Sequence, residues 1–174
     1  METSEHDHND DYRLVVILNK RIETGKVMNA LAHAVAGAVN LAGESGRQAL
    51  KFIKFIDLEA QEYPDISARS FIILRGSDGD FRKVRQRALE AGLPAVCFVE
   101  TMTGGTYLEQ LERTKVTPTS SLAFYAVAVL GKAEALNPIT KKYSLWRNDP
   151  PAPSSAPADL QARDASAFVV EEKT

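Results

Sequence analysis

The chain has 174 residues, 44 % hydrophobic and 25 % charged, with a formal net charge of −2 and one cysteine; this is an ordinary globular composition, sized for one domain with tails. No apolar run is long enough to cross a bilayer, the acidic start lacks the basic and apolar regions of a secretory leader, and one cysteine excludes a disulfide framework or a multi-cysteine metal site. A cytoplasmic protein with no membrane partner is the expectation.

In chain order, residues 1–11 form a flexible acidic lead, 12–147 a single α/β domain and 148–174 a Pro/Ala/Ser-rich disordered tail. Residues 13–20 hold the nearly continuous apolar run Leu14-Val15-Val16-Ile17-Leu18, which predicts a strand buried on both faces. After a turn at 21–23, Thr24 is a suitable N-cap. A helix follows to Leu41 or Ala42, ended by Gly43-Glu44-Ser45-Gly46. At 3.6 residues per turn, Lys26, Asn29 or Ala30, His33 and Gly37 share one side of that helix, while Val27, Leu31, Val35 and Ala38 share another.

Residues 50–56 alternate around Lys51 and Lys54 and read as a short exposed strand. Residues 57–68, broken by Pro64, read as irregular. Residues 71–74 form a second buried strand. The turn at 76–80 caps a helix over 81–91, and Gly92-Leu93-Pro94 stops it. Residues 95–99 are a third buried strand, in which Cys97 reads as an inert buried thiol. A Thr/Gly loop at 101–106 leads to a short helix over 107–114. After a second loop at 117–121, residues 122–130 are the last strand. Residues 133–143 hold a turn and one helical turn, and Leu145 and Trp146 dock back onto the domain. Strands alternating with helices, and buried strands without alternation, predict an α/β sandwich around a central, mostly parallel sheet.

Residues 11–147 carry 19 Lys and Arg against 14 Asp and Glu. A mildly basic domain suits an anionic ligand, including a nucleic-acid backbone. Sites in open α/β sheets form at the carboxyl ends of parallel strands. Such a site here gathers Lys20, Lys26, Glu100, Thr101 and Thr103, with His33 within reach. Lys26 opposes the helix macrodipole, and a cation beside free backbone N–H groups stabilises an anion or oxyanion. His33 suits acid–base work, Asn29 can orient a substrate, and Glu100 can act as a base or hold a water. The cationic run Arg82-Lys83-Val84-Arg85-Gln86-Arg87 can meet phosphates, with Arg82 and Arg85 as the contacts; its other reading is a solvated helix face. No nucleotide-loop, dinucleotide, nucleophile-elbow or zinc-protease motif occurs, and no metal or cofactor is expected.

The strand 14–18 followed by Gly25-Lys26 and, at the same spacing, His33-Ala34 resembles the opening of type II peptidyl-tRNA hydrolases. Ala91-Gly92-Leu93-Pro94 with the strand to Glu100, and the run from Leu122 to Gly131, are similar to that family's later passages. The resemblance spans roughly residues 13–131. It is closer to an uncharacterised bacterial domain family sharing that fold, through Asn29-Ala30-Leu31-Ala32-His33 and the stretch from Asn137 to Trp146. The resemblance implies a three-layer fold with a mixed sheet of four or five strands, often a homodimer, and cleavage of a peptide–tRNA ester. Lys26 then matches the lysine that handles the tRNA or the developing charge, and His33 borders the site. Glu100 stands where the hydrolases carry an aspartate, Ala30 where they carry a glutamine, and Phe124 and Ala126 where they carry threonines. The function expected is a peptidyl-tRNA hydrolase-like action on an acyl ester such as acyl- or aminoacyl-tRNA. The alternative is a non-catalytic module that binds a small anionic ligand or a protein partner in the same cleft.

Overall fold

Five strands order as β5-β6-β1-β4-β7, with helices against both faces. The elements of this computed structural model, which describes residues 11–147, are β1 (Tyr12–Asn19), α1 (Thr24–Leu50), β2 (Phe52–Ile56), β3 (Glu62–Ser67), β4 (Ser70–Gly76), α2 (Asp78–Glu90), β5 (Ala95–Val99), α3 (Tyr107–Lys115), β6 (Phe124–Lys132), α4 (Ala133–Thr140) and β7 (Ser144–Leu145). One-turn 3-10 helices lie at Glu100–Met102 and Thr119–Ser121. The expectations for 1–10 and 148–174 fall outside the described residues. Asp11, assigned to the lead, accepts the Ala133 N–H at 2.8 Å and so is tied to the domain.

The sheet is mixed and mostly antiparallel, which corrects the expectation of a mostly parallel one. Only β1 and β4 pair in parallel; β6 runs antiparallel to both β1 and β5, and β7 antiparallel to β4. The apolar run of β1 reports burial on two faces, not strand direction. Leu14, Val16 and Leu18 face α1, while Val15 and Ile17 face the core under α2 and α4. Helices on both faces produce that pattern in either orientation.

On the first face, the buried stripe of α1 is Val27, Ala30, Ala34 and Ala38. Leu31 and Val35 flank it half-buried, so the apolar stripe is rotated from the expected one and Ala30 belongs to the core. Small residues meet small residues: Ala30, Ala34 and Ala38 share a core with Ala126 and Ala128 of β6. The helix therefore lies close to the sheet. The N-cap is Glu23 rather than Thr24. The helix also continues past its expected end. It kinks at Gly43, whose φ of 60° and ψ of −154° are non-helical, and resumes to Leu50. Glycine tolerates that backbone without a Cβ penalty.

Residues 57–68, expected to be irregular, contain β3, which pairs with β2 in a separate two-stranded sheet. Pro64 falls, with Asp65 at a φ of 60°, in a register shift opposite Lys54, where the ladder is interrupted and its missing N–H is tolerated. The turn at 76–80 caps α2 as expected: Asp80 Oδ2 accepts the Ser77 backbone N–H at 3.1 Å and its hydroxyl at 3.0 Å. The C-terminal stretch docks as expected, with β7 on β4 and the Trp146 N–H donating to the Ile73 carbonyl at 2.9 Å.

Candidate functional site

A hollow of about 880 Å³ opens between the first half of α1, the edge strand β5 and α3. It runs alongside β5 rather than over the ends of β1 and β4. Three of the expected residues converge on it from one helix: Lys26, Asn29 and His33 are spaced three and four apart, on one face of α1. Their exposure next to the buried Ala30 and Ala34 follows from the same periodicity. Thr103 joins them from beyond β5.

His33 stacks on Phe98, with ring centroids 5.3 Å apart and planes 22° off parallel. That contact holds the imidazole against the floor of the hollow. Lys26 Nζ lies 3.7 Å from Glu23 Oε2, and both side chains are exposed at the mouth. The Thr103 hydroxyl donates to the Glu100 carbonyl at 2.6 Å, leaving its lone pairs for a ligand. Val96, Phe98, Met102, Tyr107 and Leu111 supply most of the remaining apolar lining. The cation and the imidazole thus lie on the α1 side and most of the apolar area on β5 and α3, with Gln110 and Thr114 adding polar groups on α3.

The α3 wall was not legible as part of the site. It buries no side chain. A Thr-x-x-Glu capping box starts it, with Glu109 accepting the Thr106 N–H at 2.7 Å. Gly104 and Gly105 lead into it at φ of 66° and 71°. A Cβ on Gly105 would sit 2.5 Å from the capping carboxylate of Glu109. Arg113 ties the helix down by donating to the carbonyls of Thr101, Thr103 and Gly104. The spacing of Tyr107, Leu111 and Thr114 is the signal that could have marked one face of this helix as a wall.

The other expected residues go elsewhere. Glu100 does not line the hollow. The chain leaves β5 there in a 3-10 turn, and the Glu100 Oε2 is shut off from solvent without a hydrogen-bond partner among the described residues. Thr101 is buried and shares a 2.7 Å hydrogen bond with the Thr114 hydroxyl, which itself donates to the Gln110 carbonyl; Thr101 is therefore the donor, and it anchors α3. Lys20 is exposed in the turn after β1, where its N–H donates to the Gly76 carbonyl at 3.1 Å. Arg82 is turned onto its own chain. Its Nη2 donates to the carbonyls of Thr119, Ser120 and Leu122, and its guanidinium lies 5.3 Å from the Phe124 ring centre. Arg85, exposed on α2, borders a second, smaller hollow of about 350 Å³. Cys97 borders both hollows, and burial, against the opposing charge of Arg85, pushes its thiol up to about 11. It stays protonated at neutral pH, as an inert thiol should. Among the described residues, no group of three or more His, Cys, Asp or Glu could hold a metal ion, and no helix is long and apolar enough to cross a membrane.

The family model described as "Protein of unknown function (DUF2000)" matches residues 12–147, the whole of the fold just set out. The chain belongs to that family. No curated protein matches it. Among solved structures, the DUF2000 chain is similar to Atu0240, a protein of unknown function from Agrobacterium tumefaciens strain C58. The identity is 21 % and the TM-score 0.65, over 79 % of this chain and 98 % of that one. At that identity the likeness speaks to the fold alone.

Proposed function

We propose that the hollow binds a small amphipathic acyl compound. Its apolar body lies against Val96, Phe98, Met102 and Leu111, and its carboxyl, ester or thioester end meets Lys26, Asn29 and His33. A mostly apolar lining with Lys26, Asn29 and His33 gathered on α1 carries this reading. A cleft of 300–1,000 Å³, mostly apolar with a few convergent polar groups, is the usual form of a small-molecule site. The test is NMR of the His33 imidazole during titration with medium-chain carboxylates and their esters. Binding shifts the His33 signals, and Leu111→Asp weakens affinity at least about ten-fold, the equivalent of about 1.4 kcal/mol. Unmoved His33 signals, or equal affinity in the variant, overturn the assignment.

Hydrolysis of an acyl ester, including one carried on tRNA, is the second reading. It is favoured by an imidazole held beside a cation and an amide in one hollow. Imidazole is the side chain suited to proton transfer near neutrality. The likeness of the strand-to-helix opening to type II peptidyl-tRNA hydrolases supports it, as does a mixed five-stranded sheet with helices on both faces, the arrangement that likeness implies. In this reading His33 relays the proton and Lys26 meets the developing oxyanion. Glu100 has no part in it. Turnover of acyl esters and of peptidyl-tRNA is expected in the wild type, reduced about 100-fold or more in His33→Ala and retained in Glu100→Gln. Binding without turnover leaves the non-catalytic module.

A further inference from the structure

The β2–β3 hairpin belongs to neither core. Its register sets Ile53 opposite Ile66 and Phe55 opposite Tyr63, so these four share one face. Phe52 and Ile56 lie on the other face, beside the Lys54–Glu62 ion pair of 2.6 Å. Leu58 is at the tip. Phe52, Phe55, Ile56, Leu58, Tyr63 and Ile66 are 40 to 96 % exposed. At about 200 Å² for a whole side chain of this size, they present on the order of 700 Å² of mostly apolar surface. The two faces and the tip together approach the ~800 Å² per partner of a standard interface.

The arm is also preorganised. Asp57 accepts the Gln61 N–H and the Tyr63 hydroxyl, both at 2.8 Å, which fixes the turn. At the base, the Ser67 hydroxyl donates to the Leu50 carbonyl at 2.6 Å, and the buried Arg69 donates to the Ala49 carbonyl at 3.0 Å. An isolated two-stranded hairpin with apolar residues on both faces is at best marginal in water. Covering it removes that cost, and little ordering entropy is lost on docking.

Charge distinguishes the occupant. Residues 52–67 carry one Lys against four Asp and Glu, whereas the rest of 11–147 carries 18 Lys and Arg against 10 Asp and Glu. An acidic arm on a basic body is complementary to another molecule of the same chain, and it repels an anionic membrane or a nucleic acid. We propose that the β2–β3 hairpin is a dimerisation arm. The arm of one copy lies against the body of a second, and the second returns the contact about a two-fold axis. The hollow beside β5 plays no part in this assignment.

Sedimentation velocity on the full chain over a wide concentration range tests it. The wild type sediments at twice the chain mass. Phe55→Asp with Ile66→Asp halves that mass while leaving the far-UV circular dichroism unchanged. Leu58→Lys, at a tip position that takes no part in strand pairing, weakens the dimer at least about ten-fold and cannot act by unfolding. A wild type that stays monomeric at every concentration overturns the proposal, whether or not it floats with anionic vesicles through the hairpin. So does a dimer that both variants leave intact.

Discussion

Gly37 shows how one missing methyl shapes the site. A Cβ there would meet the Val96 Cγ1 at 2.9 Å, and Val96 lines the hollow. Gly37 is therefore where α1 closes on β5. Gly37→Leu is expected to destabilise the protein by about 1–3 kcal/mol through overpacking, read by urea denaturation, and to weaken ligand binding by displacing Val96. Residues of this kind were only partly legible. Lys26, Asn29 and His33 could be grouped because a helix repeats every 3.6 residues and they lie in its most regular stretch. Glu100 could not be placed, because reading it as the end of a strand ignores the 3-10 turn that carries it away from the hollow. Nor could a run of cations reveal that Arg82 turns its Nη2 onto three carbonyls of its own chain.

Between elements, Asp80 joins the start of α2 to the segment after α4. Besides Ser77, it accepts the Lys142 ammonium at 3.0 Å and the Tyr143 hydroxyl at 3.3 Å. Burial pushes its carboxyl up, but Lys142 and the N–H and hydroxyl of Ser77 outweigh that and bring it down from 3.8 to about 2. A depressed folded-state value means the stabilisation is complete above about pH 3.8 and is lost as the pH falls through about 2. Asp80→Asn should cost about 1–2 kcal/mol at neutral pH, allowing for solvent screening. Thermal melts of the two proteins should converge as the pH approaches 2. The capping of α2 was legible because Ser77 and Asp80 stand at capping-box spacing. The hairpin was not. Pro64 argues against a strand, and the register shift in which it sits makes the proline harmless. The extension of α1 beyond Gly43 was hidden for a similar reason: a glycine that would ordinarily stop a helix here bends it.

For the whole molecule, β1 and β6 serve both cores, sending alternate side chains to opposite faces. Neither face can empty without the other. Thermal unfolding of the described fold should be a single transition, and hydrogen exchange should find the slowest amides in β1 and β6 and faster ones in α3 and the hairpin. The existence of an α/β core was legible from composition and from the apolar strands. The direction of its strands was not, since burial on both faces erases the alternation that would distinguish parallel from antiparallel pairing. The frame and the wall of the hollow also differ in what holds them. The frame rests on interlocked interior residues, and α3 on a capping box, Arg113 and the Thr101–Thr114 hydroxyl pair. Tyr107, Leu108 and Leu111, each more than half exposed, can accordingly be exchanged with little penalty to folding, so the chemical preference of the hollow can be rewritten along this helix while the sheet beneath it stays as it is.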